Sequence, residues 1–191
     1  MSSEGEKRTI EVSMGGSGGQ GLVLMGLILA EAAGIHEGRR VVSSQLYGPE
    51  SRGGASRSDV IISDEEIDYP EVENPDILFA FNQPSASKYA PHLKPGGTLI
   101  YDSTFVTDPP EVQGKVYRLP ITKLAREKVG RDIVANIVAI GALTTLTGIV
   151  SREALTKAVL ERVPKGTEEI NRQALQVGFE AAEELLAQSR P

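Results

Sequence analysis

The sequence predicts a three-layer α/β/α, Rossmann-like fold built on a mixed, mostly parallel sheet. Three observations carry this. Strand-like runs alternate with longer helical patterns from residue 8 to about 130. A glycine-rich turn, "MGGSGGQG" at 14–21, joins the first strand to a helix. The segment "DILFAFN" at 76–82 is a continuous apolar run ending in polar residues, the pattern of a parallel strand buried on both faces.

Each element has a local reason. Residues 1–7 are polar and are expected to form a flexible tail, with one domain spanning 8–187. "RTIEVSM" (8–14) alternates Ile10, Val12 and Met14 and reads as the first strand. "LVLMGLILAEAAG" (22–34) is apolar on every face, as in a helix buried from both sides, with Gly34 as its expected stop. "RRVVSSQ" (39–45) is the second strand. "LYGPESRGGASRSD" (46–59) has no apolar period and is rich in Gly, Ser and Arg, which predicts a long loop. "SDVIIS" (58–63) is a third strand with no helix before it, so it is expected to run antiparallel.

A connector punctuated by Pro70 and Pro75 leads to the 76–82 strand. "QPSASKYAPHL" (83–93) supports a short helix up to Pro91, and "KPGG" (94–97) a turn. "TLIYDS" (98–103) and "KVYRLP" (115–120) are two more strands, and "ITKLAREKVG" (121–130) a helix. Asp132 is expected to cap a second wholly apolar helix within 133–150, and Ser151 and Thr167 to cap two closing helices. The last repeats apolar residues at 170, 174, 177, 181 and 185, and at 175, 179, 182 and 186. A chain of 191 residues has limited interior for two all-apolar helices, so one of them is expected to face a partner.

Composition excludes several functions. The chain has no cysteine, which rules out cysteine-ligated iron–sulfur clusters, zinc–thiolate sites and a thiol nucleophile within it. With 26 acidic against 20 basic residues and no basic patch, no nucleic-acid partner is expected. "MSSEGEKRT" lacks the apolar core of a signal peptide, and the stretches 22–33 and 133–150 are too short or too interrupted to span a bilayer. A soluble, cytoplasmic domain with no membrane contact is the expectation.

The glycine turn fits G-x-G-x-x-G through Gly16, Gly18 and Gly21, with Gly19 between. Such glycines permit a tight turn and close approach of a phosphate to the following helix N-terminus. The acidic residue that would bind a dinucleotide ribose is missing, because the second strand ends in Ser43, Ser44 and Gln45. That absence counts against a dinucleotide, and the other readings of the turn are a site for another phosphate or anion, a subunit contact, or chain packing alone. In the 46–59 loop, Arg52 and Arg57 flank Gly53 and Gly54, and guanidinium forks suit phosphate or carboxylate. The plain alternative pairs Arg52 with Glu50 and Arg57 with Asp59 on a solvated loop. Asn82 and Gln83 close the 76–82 strand at the carboxyl edge, where open α/β sheets bind ligands. His36 and His92 stand alone, and Asn136, inside an apolar helix, reads as a satisfied buried amide or a polar contact at a subunit interface.

Taken together, "GGSGGQG", "YGPESRGGASRSDVIISDEEIDYPEV", "PDILFAFNQ", "LKPGGTLIYDS" and "ANIVAIGAL" resemble the gamma subunit of 2-oxoacid:ferredoxin oxidoreductases, most closely the 2-oxoglutarate type. The resemblance runs from about residue 8 to 180. It implies an enzyme that oxidatively decarboxylates a 2-oxo acid, passes the acyl group to coenzyme A and sends two electrons to ferredoxin. It implies that thiamine diphosphate, Mg and the iron–sulfur clusters belong to companion chains. This chain would then support assembly and coenzyme A access rather than the chemistry, and would be inactive in isolation. Gly16, Gly18, Gly19, Gln20 and Gly21 match the first family motif, and Ser51, Arg52, Gly53, Gly54 and Arg57 the second. With Asn82 these are the candidate coenzyme A residues, Arg52 and Arg57 as anion contacts. The implied partners are alpha and beta subunits, a ferredoxin-like delta subunit where one exists, and ferredoxin itself, with a homodimer expected for the isolated chain. The rival readings are a free-standing dinucleotide-binding oxidoreductase and a ligand-free structural adaptor.

Overall fold

A computed structural model describes residues 8–47 and 55–189. Its strands are β1 (Thr9–Gly16), β2 (Arg40–Leu46), β3 (Ser56–Ser63), β4 (Ile77–Ala80), β5 (Thr98–Asp102) and β6 (Lys115–Leu119). They form one sheet in the order β2-β3-β1-β4-β5-β6. β1, β4, β5 and β6 pair in parallel, while β3 lies antiparallel between β1 and β2. β3 pairs antiparallel with β2, the strand before it in the chain, and such a pairing needs no crossover helix.

The helices are α1 (Leu22–Glu31), α2 (Gln83–Tyr89), α3 (Ile121–Leu124), α4 (Ala135–Thr147), α5 (Arg152–Arg162) and α6 (Glu168–Gln188). One sheet face carries Val12, Met14, Ile62, Phe79 and Ile100 into a core shared with α1 and α3 to α6. The other turns Leu78, Ala80, Leu99 and Tyr101 toward α2. Alternate residues of each strand thus feed opposite layers.

Several expectations need correction. Gly34 does not stop α1: the helix runs on through a π turn at Ala32–His36. Gly34 is needed instead for close approach, since a Cβ there would lie 2.9 Å from Val41 Cγ2. The loop expected at 46–59 is shorter, because β2 reaches Leu46 and β3 begins at Ser56, which places Arg57 on a strand. Asp132 caps nothing; its carboxylate accepts from Arg126 Nε and a terminal guanidinium nitrogen at 3.0 and 2.7 Å. Ser151 does cap α5, accepting from Ala154 N at 3.1 Å. Thr167 occupies the cap position of α6 without a capping bond, its hydroxyl donating to the Pro164 carbonyl at 2.6 Å.

Both apolar helices are largely covered within the chain. α4 is buried without interruption from Ala135 to Thr144, ringed by α1, α3, α5 and α6. α1 itself offers only Val23 as an exposed large apolar residue, and the π turn that continues it adds Ile35 at its far end. Room for both comes from backbone contact: a Cβ on Gly141 would lie 2.9 Å from the Leu175 carbonyl oxygen, so α4 and α6 touch without side chains between them.

Candidate functional site at the carboxyl edge of the sheet

β1 and β4 are adjacent and parallel, but their chains leave in opposite directions. From β1 the chain enters α1 and then β2; from β4 it enters α2 and then β5. Their carboxyl ends therefore bound a topological switch point, the usual ligand crevice of an open α/β sheet. The glycine turn, Ser17–Gly21, lies on one side of it and Phe81–Asn82 on the other.

Side-chain amides hold the two together. Gln20 Oε1 accepts from Ser17 N at 2.7 Å and Ser17 Oγ at 3.2 Å, folding the turn on itself. The same oxygen takes a 3.4 Å bond from Asn82 Nδ2. Asn82 can reach it because its other end is fixed: Oδ1 accepts from Ser85 N at 3.0 Å in the capping box of α2. Gln20 and Asn82, both singled out from the sequence, thus meet as braces.

The turn ends at Gly21, whose φ of 75° is left-handed and whose Cβ, if present, would sit 2.8 Å from Asn136 Cγ. Both conditions require glycine there. Gly18 is different: its φ is not positive, and a Cβ on it would meet nothing within 4 Å. Among the described residues none demands a glycine at that position. α1 begins directly after the turn with no side chain capping it, so its first-turn N–H groups face the crevice with the positive end of the helix dipole.

Two cavities flank the turn. One, of about 310 Å³, is lined by Gly19, Gln20, Phe81, Phe105, Thr122 and Asn136. The other, of about 400 Å³, runs past Gly21, Leu24, Arg131, Val163, Ile170 and again Asn136. Phe105 and Ile133, 45% and 80% exposed, form an apolar rim at their mouths. Asn136 and Arg131 were not picked from the sequence as site residues. A lone amide in an apolar helix was the one legible signal for Asn136.

Arg57 lies elsewhere. Its guanidinium sits 2.9 Å from Asp59 Oδ2, donates to the Val72 carbonyl at 2.9 Å and lies 5.2 Å above the Tyr89 ring. The Arg57–Asp59 pair read from the sequence forms, but in the interior rather than on a solvated loop: the two side chains are 12% and 2% exposed. Desolvation pushes the Asp59 carboxyl above its usual range, against a 2.6 Å bond from Ser13 Oγ and the charge of Arg57. Ser51, Arg52, Gly53 and Gly54 lie outside the described residues. His36 makes a surface contact with Glu161 at 3.0 Å.

Comparison with known proteins adds the family context. Residues 11–181 match the family model for pyruvate ferredoxin/flavodoxin oxidoreductase. The chain is 50% identical over 177 residues to a 2-oxoglutarate synthase subunit KorC from Methanocaldococcus jannaschii, covering 92% of this chain and 95% of that protein. A keto/oxoacid ferredoxin oxidoreductase gamma subunit from Geobacter sulfurreducens superposes with a TM-score of 0.84 at 50% identity, over 92% of this chain and 99% of that one. The 2-oxoglutarate:ferredoxin oxidoreductase of Magnetococcus marinus, solved with 2-oxoglutarate, coenzyme A and succinyl-CoA bound, matches with a TM-score of 0.83 at 25% identity. That match covers 94% of this chain and 32% of the longer one.

Proposed function

The chain belongs to the pyruvate ferredoxin/flavodoxin oxidoreductase family, and from that premise we propose that its glycine turn forms part of the route by which coenzyme A reaches the active centre. It is the gamma-type subunit of a 2-oxoglutarate:ferredoxin oxidoreductase. The assembled enzyme converts 2-oxoglutarate, coenzyme A and two oxidised ferredoxins to succinyl-CoA, carbon dioxide, a proton and two reduced ferredoxins.

The observation that carries the reading is Gly18. A glycine that neither φ nor packing among the described residues requires leaves open space beside uncapped helix N–H groups, a place where a phosphate approaches backbone closely. Gly16, Gly19, Gly21, Gln20 and Asn82 shape that place, and Arg52, in the 51–54 segment, is proposed as an anion contact. Ser51, Gly53 and Gly54 belong to the same proposed segment. Arg57, held by Asp59, Val72 and Tyr89, takes a positioning role at the root of that segment. Coenzyme A supplies the thiol that receives the acyl group. This chain's own part is to bind and orient it, which lowers the entropy lost at acyl transfer.

Thiamine diphosphate, Mg and the iron–sulfur clusters are assigned to companion alpha and beta subunits, with a ferredoxin-like delta subunit where present. The chain has no cysteine to hold a cluster, and among the described residues no three His, Asp or Glu side chains converge on one point. The apolar rim of Phe105 and Ile133 beside the turn supports docking of a companion subunit there. Among the described residues no helix is long and apolar enough to cross a membrane, and a cytoplasmic enzyme is the proposed setting.

Anoxic affinity capture of this chain from its native cell tests the assignment. Co-purification of thiamine- and cluster-bearing subunits, with viologen reduction dependent on both 2-oxoglutarate and coenzyme A, is the expected result. Recovery of the chain alone with a tightly bound dinucleotide would overturn it.

A further inference from the structure

Asn136 is the one polar residue in the first turn of α4, between Ala135 and Ile137, and it is 4% exposed. Its Oδ1 accepts from Ile137 N at 3.0 Å, which fixes the direction of the amide and turns Nδ2 toward the glycine turn. That nitrogen carries two N–H bonds. Among the described residues its acceptor is the Gly21 carbonyl at 3.5 Å, at the outer limit of a hydrogen bond. The same carbonyl already accepts from Met25 N at 3.1 Å. The amide is thus buried and oriented, and its two N–H groups share one long bond to a carbonyl that already has a donor.

Its position accounts for it. Asn136 lines both cavities beside the turn, and it lies so close under Gly21 that only glycine fits above it. We propose that Asn136 is a ligand-contacting residue, donating its second N–H to an acceptor oxygen of the molecule lying across the glycine turn. This rests on the reading that the turn receives coenzyme A, whose phosphate and amide oxygens are both acceptors. The helix N-terminus supplies a diffuse positive field, and Asn136 adds a directed donor from the layer beneath. A carboxylate at this position would oppose an anion, and a lysine would not fit under Gly21. A neutral amide satisfies both constraints.

The test is binding of coenzyme A alone, without 2-oxo acid, to the assembled complex by anoxic equilibrium dialysis. Three variants are compared, each checked for assembly: Asn136→Ala, Asn136→Asp and Gly18→Phe. The aspartate keeps the shape and the Ile137 bond but replaces the donor by a charge. The phenylalanine fills the open space at the turn without straining the backbone. Asn136→Ala is expected to weaken coenzyme A about tenfold, the size of one lost hydrogen bond, and Asn136→Asp to weaken it further. Amide exchange across residues 17–22 of the ligand-free complex should stay as in the parent. Unchanged affinity in both Asn136 variants, with weakened binding in Gly18→Phe, overturns the contact and leaves the turn as the ligand site. Weakened binding with faster exchange across the turn also overturns it, because Asn136 would then be only a brace. Unchanged affinity in all three removes the turn from the ligand site and the inference with it.

Discussion

Removing the Arg57 guanidinium should unfold the protein more easily rather than merely weaken a ligand. Arg57 holds Asp59 at 2.9 Å, and the Asp59 side chain is 2% exposed. Breaking a buried ion pair from one side costs about 3–5 kcal/mol, because the remaining charge has no partner. The lost contact with the Tyr89 ring, centred 5.2 Å away, adds about 0.5–2 kcal/mol. Protonation of Asp59 offsets part of this, so a net loss of about 3 kcal/mol at neutral pH is expected for Arg57→Ala. For a chain of 191 residues that is about 6–12 °C in melting temperature.

The loss should depend on pH in a definite direction. Burial already raises the Asp59 carboxyl above 3.8, and losing Arg57 removes an opposing influence, raising it further. The folded state then binds a proton more tightly than the unfolded state. Stability is therefore highest when Asp59 is protonated in both states, and falls as pH rises from 3.8 through the folded value. Thermal unfolding across that window should show the gap between variant and parent closing on acidification. Asp59→Asn in the Arg57→Ala background should recover most of the loss at neutral pH. A variant that melts with the parent at every pH but binds coenzyme A poorly would refute this reasoning and place Arg57 in the ligand site.

Two further outcomes follow from packing and polar satisfaction. Gly178→Ala in α6 should destabilise by about 1–2 kcal/mol in chemical denaturation: the clash of an added Cβ, 3.0 Å from Ala142 N and nearer still to the Val138 carbonyl oxygen, outweighs the gain in helix propensity of about 1 kcal/mol. Thr122→Val should cost about 2 kcal/mol by the same assay, because the wholly buried Asp102 carboxylate loses its 2.6 Å hydroxyl donor while keeping Thr122 N and Thr104 N.

Much of this architecture is written in local pattern. "DILFAFN" announced a buried strand because parallel strands covered on both faces need no polar alternation, and "SDVIIS" announced its direction by lacking a crossover helix. What local pattern could not carry was the third dimension. Asp132 looks like a cap in one dimension, but Arg126 reaches its carboxylate first. The start of β3 was hidden because Ser56 and Arg57 have no apolar signature; their strand conformation comes from pairing with Gly16 and Gly15 of β1. α1 and α4 read as one helix too many for the interior, since the glycines at 141 and 178 that let α4 and α6 bring their backbones together look the same in sequence as flexible ones. At the candidate site, the turn was legible from its glycines, and Asn82 from its place at a strand end. The convergence of Gln20 with Asn82, and of Asn136 with Gly21, depends on residues 62 and 115 positions apart meeting in space.

The most direct test of the coenzyme A role is steady-state kinetics of the assembled oxidoreductase carrying Gly18→Phe, with KM for coenzyme A and for 2-oxoglutarate measured in parallel. Filling the open side of the turn should raise KM for coenzyme A at least about tenfold, the loss of one or two phosphate contacts. KM for 2-oxoglutarate should stay unchanged under the proposed division of labour, in which companion subunits carry out the decarboxylation. Equal KM values for coenzyme A in variant and parent, with assembly intact, would contradict the account and leave the glycine turn without a ligand.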